Sequence, residues 1–175
     1  LGVAARNLEV SKELLGSGTI GQVHRGILGG RVPVAVKVVH PGVRELIERD
    51  LALLATAAEL VHRLVVPLRF LSLPDEVSQF AQMMHEQTDL RWEAWTLTRF
   101  SRNFAHSAVH FPRPVLSARS CLVETLEAGI PMTEFEVATA NDPRWSRTRS
   151  QVASLGVSSL MRMLLWDNFV HADLH

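Results

Sequence analysis

The sequence predicts an α+β fold, with strands and helices in separate stretches of the chain. Two observations carry this. Short Val-, Ile- and Leu-rich runs cluster before residue 40 and again at 111–126, whereas helix-period apolar patterns fill 43–100 and 150–166. The order is thus three strands, two helices, two strands, a connector and a helix. Regular strand–helix alternation, the mark of a doubly wound parallel sheet, is missing.

Leu8–Leu15, Ile20–Leu28 and Val32–Val39 read as an antiparallel meander, because Gly29-Gly30 supplies the positive φ that a tight hairpin needs. Pro41-Gly42 ends the third strand. Over Val43–Leu64, Leu46, Ile47, Leu53, Leu54, Ala57, Leu60, Val61 and Leu64 recur at helical spacing, with Arg44, Glu45, Glu48 and Arg49 on the other side. A second helix is expected from Ser72, where Ser72-Leu73-Pro74-Asp75 has capping-box spacing, to about Phe100. It carries Phe80, Met83, Met84, Trp92 and Trp95 as packing residues. Glu86, Asp89 and Glu93, at i, i+3 and i+7, share one of its faces. Two strands follow, with a turn at Ser117–Ser120 between Val115 and Cys121. Asn141-Asp142-Pro143 reads as a connector, and Ser150–Trp166 as a helix with Val152, Leu155, Leu160, Met163 and Leu164 inward.

Apolar residues make up 47% and charged residues 21%, a globular balance. Lys plus Arg and Asp plus Glu stand at 18 each, so no global field draws nucleic acid, and Arg144, Arg147 and Arg149 around Trp145 read as a solvated linker. The single Cys121 excludes an internal disulfide framework. No apolar run reaches the ~20 residues of a membrane span. The chain starts at Leu1 and stops at His175 within a motif, and reads as a fragment.

Gly16-Ser17-Gly18-Thr19-Ile20-Gly21-Gln22-Val23 has the form GxGxxGxV. Such glycines let backbone N–H groups curl over phosphates, and two unrelated folds use them. A dinucleotide site requires a helix to open at the third glycine and an acidic residue about 20 positions on. Here the residues after Gly21 are strand-like and a Gly-Gly hairpin intervenes. A kinase site instead requires a hairpin over the phosphates and a lysine on the next strand, and Val34-Ala35-Val36-Lys37 provides it. Taken alone, Lys37 reads equally as a solvated edge lysine. The pair of motifs makes it a phosphate contact, with Gly16, Ser17, Gly18, Thr19, Ile20, Gly21 and Val23 as nucleotide-binding positions.

Val170-His171-Ala172-Asp173-Leu174 is similar to the kinase catalytic loop, with Ala172 in place of arginine; an aspartate there orients the proton of an attacking hydroxyl. His171 and His175 as a metal pair lack the glutamate that a zinc hydrolase places after its first histidine. A structural histidine beside a helix-terminal aspartate is the remaining alternative.

With these motifs in view, the chain resembles the UbiB/ADCK atypical kinases, the aarF-domain-containing family. The resemblance rests on LGSGTIGQVHRG at 15–26, VAVKVVHPGV at 34–43, QTDLRWEA at 87–94 and FVHADLH at 169–175. It implies a protein-kinase-like fold, with residues 1–126 as the N-lobe and 127–175 as the connector and the first part of a helical C-lobe. It further implies ATP and Mg2+ as cofactors, Lys37 on the phosphates, Glu93 as the helix carboxylate holding Lys37, Asp89 near the nucleotide, and Asp173 as the catalytic aspartate. Spacing by itself nominates Glu45, Glu48 or Glu59 as the lysine's partner. No metal ligand is expected within the chain, since the metal-binding Asn and Asp of kinases would follow His175. The implied process is quinone (coenzyme Q) biosynthesis or its regulation, in mitochondria or at plastid or bacterial membranes. The implied partners are the nucleotide and lipid- or quinone-pathway proteins or a membrane surface, with no nucleic acid.

Three departures stand out. The family usually carries an alanine-rich loop where this chain has glycines. Its E-x-D motif reads Gln87-Thr88-Asp89 here, and its K-x-G-Q motif is absent. An ATPase or phosphotransferase when full length, and inactive as this piece alone, is the leading reading. A silent nucleotide-binding pseudokinase and a dinucleotide-binding oxidoreductase are the alternatives.

Overall fold

A computed structural model describes residues 7–170. Strands β1 (Leu8–Ser17), β2 (Gly21–Leu28) and β3 (Val32–Val39) form the expected meander. Gly29 and Gly30 take φ of 60° and 71° in the hairpin, and Arg31 N–H closes the turn on Leu28 O at 3.3 Å. Helix α1 (Val43–Leu64) follows, then a 3-10 turn at Val66–Leu71 that the sequence pattern did not announce. After α2 (Leu73–Gln87) and α3 (Leu90–Asn103), β4 (Pro114–Ala118) and β5 (Cys121–Thr125) return to the sheet. Its order is β1-β2-β3-β5-β4, antiparallel throughout. Helix α4 (Met132–Thr139) and α5 (Ser146–Leu165) complete the described chain, with a short 3-10 turn at Pro143–Trp145 between them.

Several expectations are corrected. The single helix over 72–100 is two helices, broken at Thr88-Asp89. At the break Trp92 N–H bonds Asp89 O at 2.9 Å, a short i→i+3 step that interrupts the α ladder. The three-carboxylate face therefore does not exist as one stripe: Glu86 lies in the last turn of α2, whereas Glu93 sits on α3. Ser72 adopts φ 46° and its side chain makes no cap bond, so the capping box is not formed. Phe80, Met83, Trp92 and Trp95 are all about half exposed instead of packed inside. Helix α4 lies where the sequence pattern shows only a connector, because its apolar periodicity is weak.

The chain forms two compact units. One runs to Thr98 and resumes over Arg113–Leu126; the other joins Arg99–Pro112 to the chain from Glu127. The sequence boundary at 126/127 thus assigns residues 99–112 differently. In the first unit, β3 lies between β2 and β5, and its alternation serves both faces. Val34 and Val36 bury with Val123 on one face. On the other, Leu122 packs against Leu90, Ala94 and Leu97 of α3, with Val39 alongside. The second unit has its own core of Phe100, Phe104 and Met163, and Phe100 stacks on Phe111 at 4.9 Å.

Candidate functional site

Lys37 stands on the central strand of the sheet, which overturns the reading of it as an edge lysine. It pairs across the sheet with Val23 on one side and Leu122 on the other. Directly paired residues of antiparallel strands project to the same face, so these three form a row. Leu122 is fully buried under Leu90, Ala94 and Leu97. Those positions follow at i, i+4 and i+7, and Glu93 lies within the same turn, on the flank of the packed stripe. Helix packing therefore carries a carboxylate to the lysine. Lys37 Nζ donates to Glu93 Oε1 at 2.8 Å and Oε2 at 2.7 Å, with both side chains 34% exposed. Glu48 instead faces His85, 3.4 Å away, and Glu59 accepts from Arg63 within α1. Sequence spacing alone would have chosen wrongly among the carboxylates.

The glycine loop joins β1 to β2. Gly18 N–H donates to Gly21 O at 2.9 Å, and His40 N–H to Ile20 O at 2.9 Å. His40 Nε2 also lies 3.1 Å from Gly18 O. A carbonyl only accepts, so this contact assigns the proton to Nε2. The loop is thereby latched to the end of β3 by the residue just before Pro41-Gly42. The three glycines are not equivalent. A Cβ on Gly21 would come within 2.4 Å of Val38 O, so the close approach of β2 to β3 demands glycine there. Gly16 has nothing within 4 Å, and Gly18 meets only Gly21 O at 4.0 Å. Ser17 and Thr19 are exposed, and Ile20 and Val23 half-buried.

Asp89 precedes α3 and works first as its cap. Its Oδ1 accepts from Arg91 N–H at 3.1 Å, and its carboxylate takes the Arg91 guanidinium at 2.6 to 3.2 Å. These Arg91 hydrogen bonds hold the Asp89 carboxyl below the usual range, against a smaller opposing effect of burial. Asp89 also borders an open groove of about 460 Å³ beside Gln82, His85, Glu86, Trp92 and Arg119. Asp173 and His171 lie outside the described residues.

An anionic triphosphate suits this arrangement: a part-exposed ammonium, held by a carboxylate, stands in the same sheet as a glycine loop with almost no atoms near the Cβ positions of Gly16 and Gly18. Among the described residues, no three His, Cys, Asp or Glu side chains are grouped to hold a metal ion. Sequence reading missed Arg44, His40 and Arg91. His40 stood inside a quoted motif without a role, and Arg91 could have been found from its position two residues after Asp89. Arg44 gave no signal beyond charge on a helix.

A strand lysine held by a helix glutamate, next to a glycine hairpin, is how protein-kinase-like domains are organised. The ABC1 atypical kinase-like domain matches residues 4–175, and the chain belongs to that family. It is 38% identical over 168 residues to the Dictyostelium discoideum protein named "Probable serine/threonine-protein kinase abkC", covering 94% of this chain and 23% of that one. It is 35% identical to "ABC1 family protein YPL109C, mitochondrial" of Saccharomyces cerevisiae, covering 95% of this chain and 28% of the relative. With "Probable protein kinase UbiB" of Azotobacter vinelandii it shares 30% identity, over 93% of this chain and 30% of the other. The chain thus spans about a quarter of the length of these relatives. Among solved structures, the Mycobacterium tuberculosis protein Rv3197, determined as an erythromycin complex, is similar with a TM-score of 0.63 and 25% identity. That match covers 72% of this chain and 32% of the other. No helix among the described residues is long and apolar enough to cross a membrane.

Proposed function

We propose that this chain supplies the nucleotide grip of an ATP- and Mg2+-dependent atypical kinase or ATPase. The observation that carries the reading is the Lys37–Glu93 pair on the α3-covered face of the sheet. Held by both carboxylate oxygens, the Lys37 ammonium would be positioned for phosphate oxygens. Gly16–Gly21 would hold the phosphates through its backbone, and Val23, in the same row as Lys37, would offer an apolar contact to the nucleotide. When bound, ATP supplies the transferable phosphoryl group and Mg2+ offsets its charge. Asp173 then orients the acceptor hydroxyl or water.

Relatives named UbiB and mitochondrial ABC1 proteins support a role in quinone biosynthesis or its regulation, and a mitochondrial or bacterial-membrane setting. Lipid- or quinone-pathway proteins, or a membrane surface, are the corresponding partners.

The test is a titration of the full-length protein with ATP and with NAD. ATP binds more tightly, and Lys37→Met weakens it. Tighter binding of NAD excludes the reading. Phosphate release above that of Asp173→Asn separates an active enzyme from a pseudokinase, which binds without turnover.

A further inference from the structure

Helix α3 starts where it does without any glycine or proline to break the preceding helix. Thr88-Asp89 lies within a pattern that continues helically in sequence; Asp89 caps the start of α3 from within the break, but the Thr88 carbonyl has to find its partner elsewhere. Thr88 is only 4% exposed, and the interrupted ladder strips its carbonyl of a helical partner. A buried unpaired carbonyl would cost free energy. Arg44, in the first turn of α1, fills this need. Its Nη2 donates to Thr88 O at 2.5 Å and to Arg119 O at 2.6 Å. Nε reaches Thr88 O at 3.2 Å, and Nη1 reaches Ser120 Oγ at 2.8 Å. Arg119 O in turn accepts from Leu90 N–H, at 3.1 Å, in the first residue of α3.

One guanidinium thus ties the start of α1, the α2–α3 break and the β4–β5 turn together. The planar fork is what allows it, since its donors diverge at fixed angles toward three acceptors. The same knot sits one turn ahead of Glu93. Leu90, whose amide is fixed by Arg119, packs with Ala94 and Leu97 on Leu122, the strand neighbour of Lys37. We infer that Arg44 is a positioning residue, setting the start and rotation of α3 so that Glu93 meets Lys37. This rests on the nucleotide reading above and adds the device that aims its carboxylate. Amphipathic patterning places Arg44 on the solvated side of α1; in the structure it turns inward.

The experiment is a double-mutant cycle on ATP dissociation constants in the full-length protein, with Arg44→Ala, Arg44→Lys, Glu93→Gln and the Arg44→Lys/Glu93→Gln pair. Arg44→Lys recovers much of the thermal stability lost in Arg44→Ala, because it keeps the charge and stem. It does not recover ATP affinity, because one ammonium cannot span the three acceptors. Arg44→Lys and Glu93→Gln each weaken ATP about tenfold, and the pair is no weaker than Glu93→Gln alone. If Arg44→Lys binds ATP as wild type does while Glu93→Gln is impaired, or if the two losses multiply, Arg44 is structural only and the inference fails. If Glu93→Gln itself changes nothing, the nucleotide reading falls and takes the inference with it. Should Arg44→Lys not fold, Ser120→Ala, which removes a single Arg44 partner, runs the same cycle with a smaller loss, and a multiplicative result again overturns the proposal.

Discussion

Lys37 and Glu93 owe their meeting to two ordinary residues, Leu122 and Leu90. The pairing of β3 with β5 sets Leu122 beside Lys37, and burial of Leu122 under α3 turns Glu93 toward the strand. Around them the glycines divide by cause, and this gives a test on single residues. Gly21→Ala forces a Cβ to 2.4 Å from Val38 O, a backbone atom that cannot swing aside, and is expected to destabilise by about 1–3 kcal/mol. Gly18→Ala meets only Gly21 O, at 4.0 Å, and is expected to stay within about 0.5 kcal/mol of wild type. Chemical denaturation of the two variants checks this; equal losses would mean that loop strain, not contact with β3, fixes Gly21.

Among the elements, the decisive one is the break between α2 and α3. Its placement was illegible because Thr88 and Asp89 interrupt no apolar periodicity, and the residue that stabilises the break lies more than forty positions upstream. Three other parts of the fold followed closely from pattern: the meander from its Gly-Gly turn, α1 from its apolar repeat, and the β4–β5 return from Val, Leu and Cys runs; the 3-10 turn at Val66–Leu71 and the weakly periodic α4 did not. The inward turn of Arg44 and the exposure of Leu53, Leu60 and Leu64 on α1 did not, since amphipathicity names an apolar face but not what covers it. Asp89 offers a prediction at this scale. Arg91 lowers its folded-state pKa, so its ionised form stabilises the start of α3 above the ordinary carboxylate pKa, and this is lost as pH falls through the folded value. Asparagine keeps the cap but not the charge. Thermal melts of Asp89→Asn should therefore trail wild type near neutral pH and converge with it on acidification below about pH 4. A gap that stays constant or widens with acid would remove the Arg91 pairing from the account.

In the whole molecule, motif and fold agree on a kinase-like assembly of the ABC1 family, while the pieces of the site differ in how they were found. The hairpin, the glycine loop between β1 and β2 and the place of Lys37 on the next strand were legible from residues alone, because turn glycines and strand runs are local signals. Glu93 was legible only through family resemblance, since long-range packing and not local spacing selects it. Arg44 and His40 became visible only once backbone carbonyls had coordinates. These parts converge on one claim, that the ammonium of Lys37, held by Glu93, stabilises charge on a phosphoryl group. The most direct test is ATP turnover by the full-length protein carrying Lys37→Met, Glu93→Gln or both, each variant first shown to be folded. Each single change is expected to cost about a hundredfold or more, and the double variant to be little worse than either single one, because the two groups act as a unit. Turnover within about twofold of wild type in both single variants would contradict that claim.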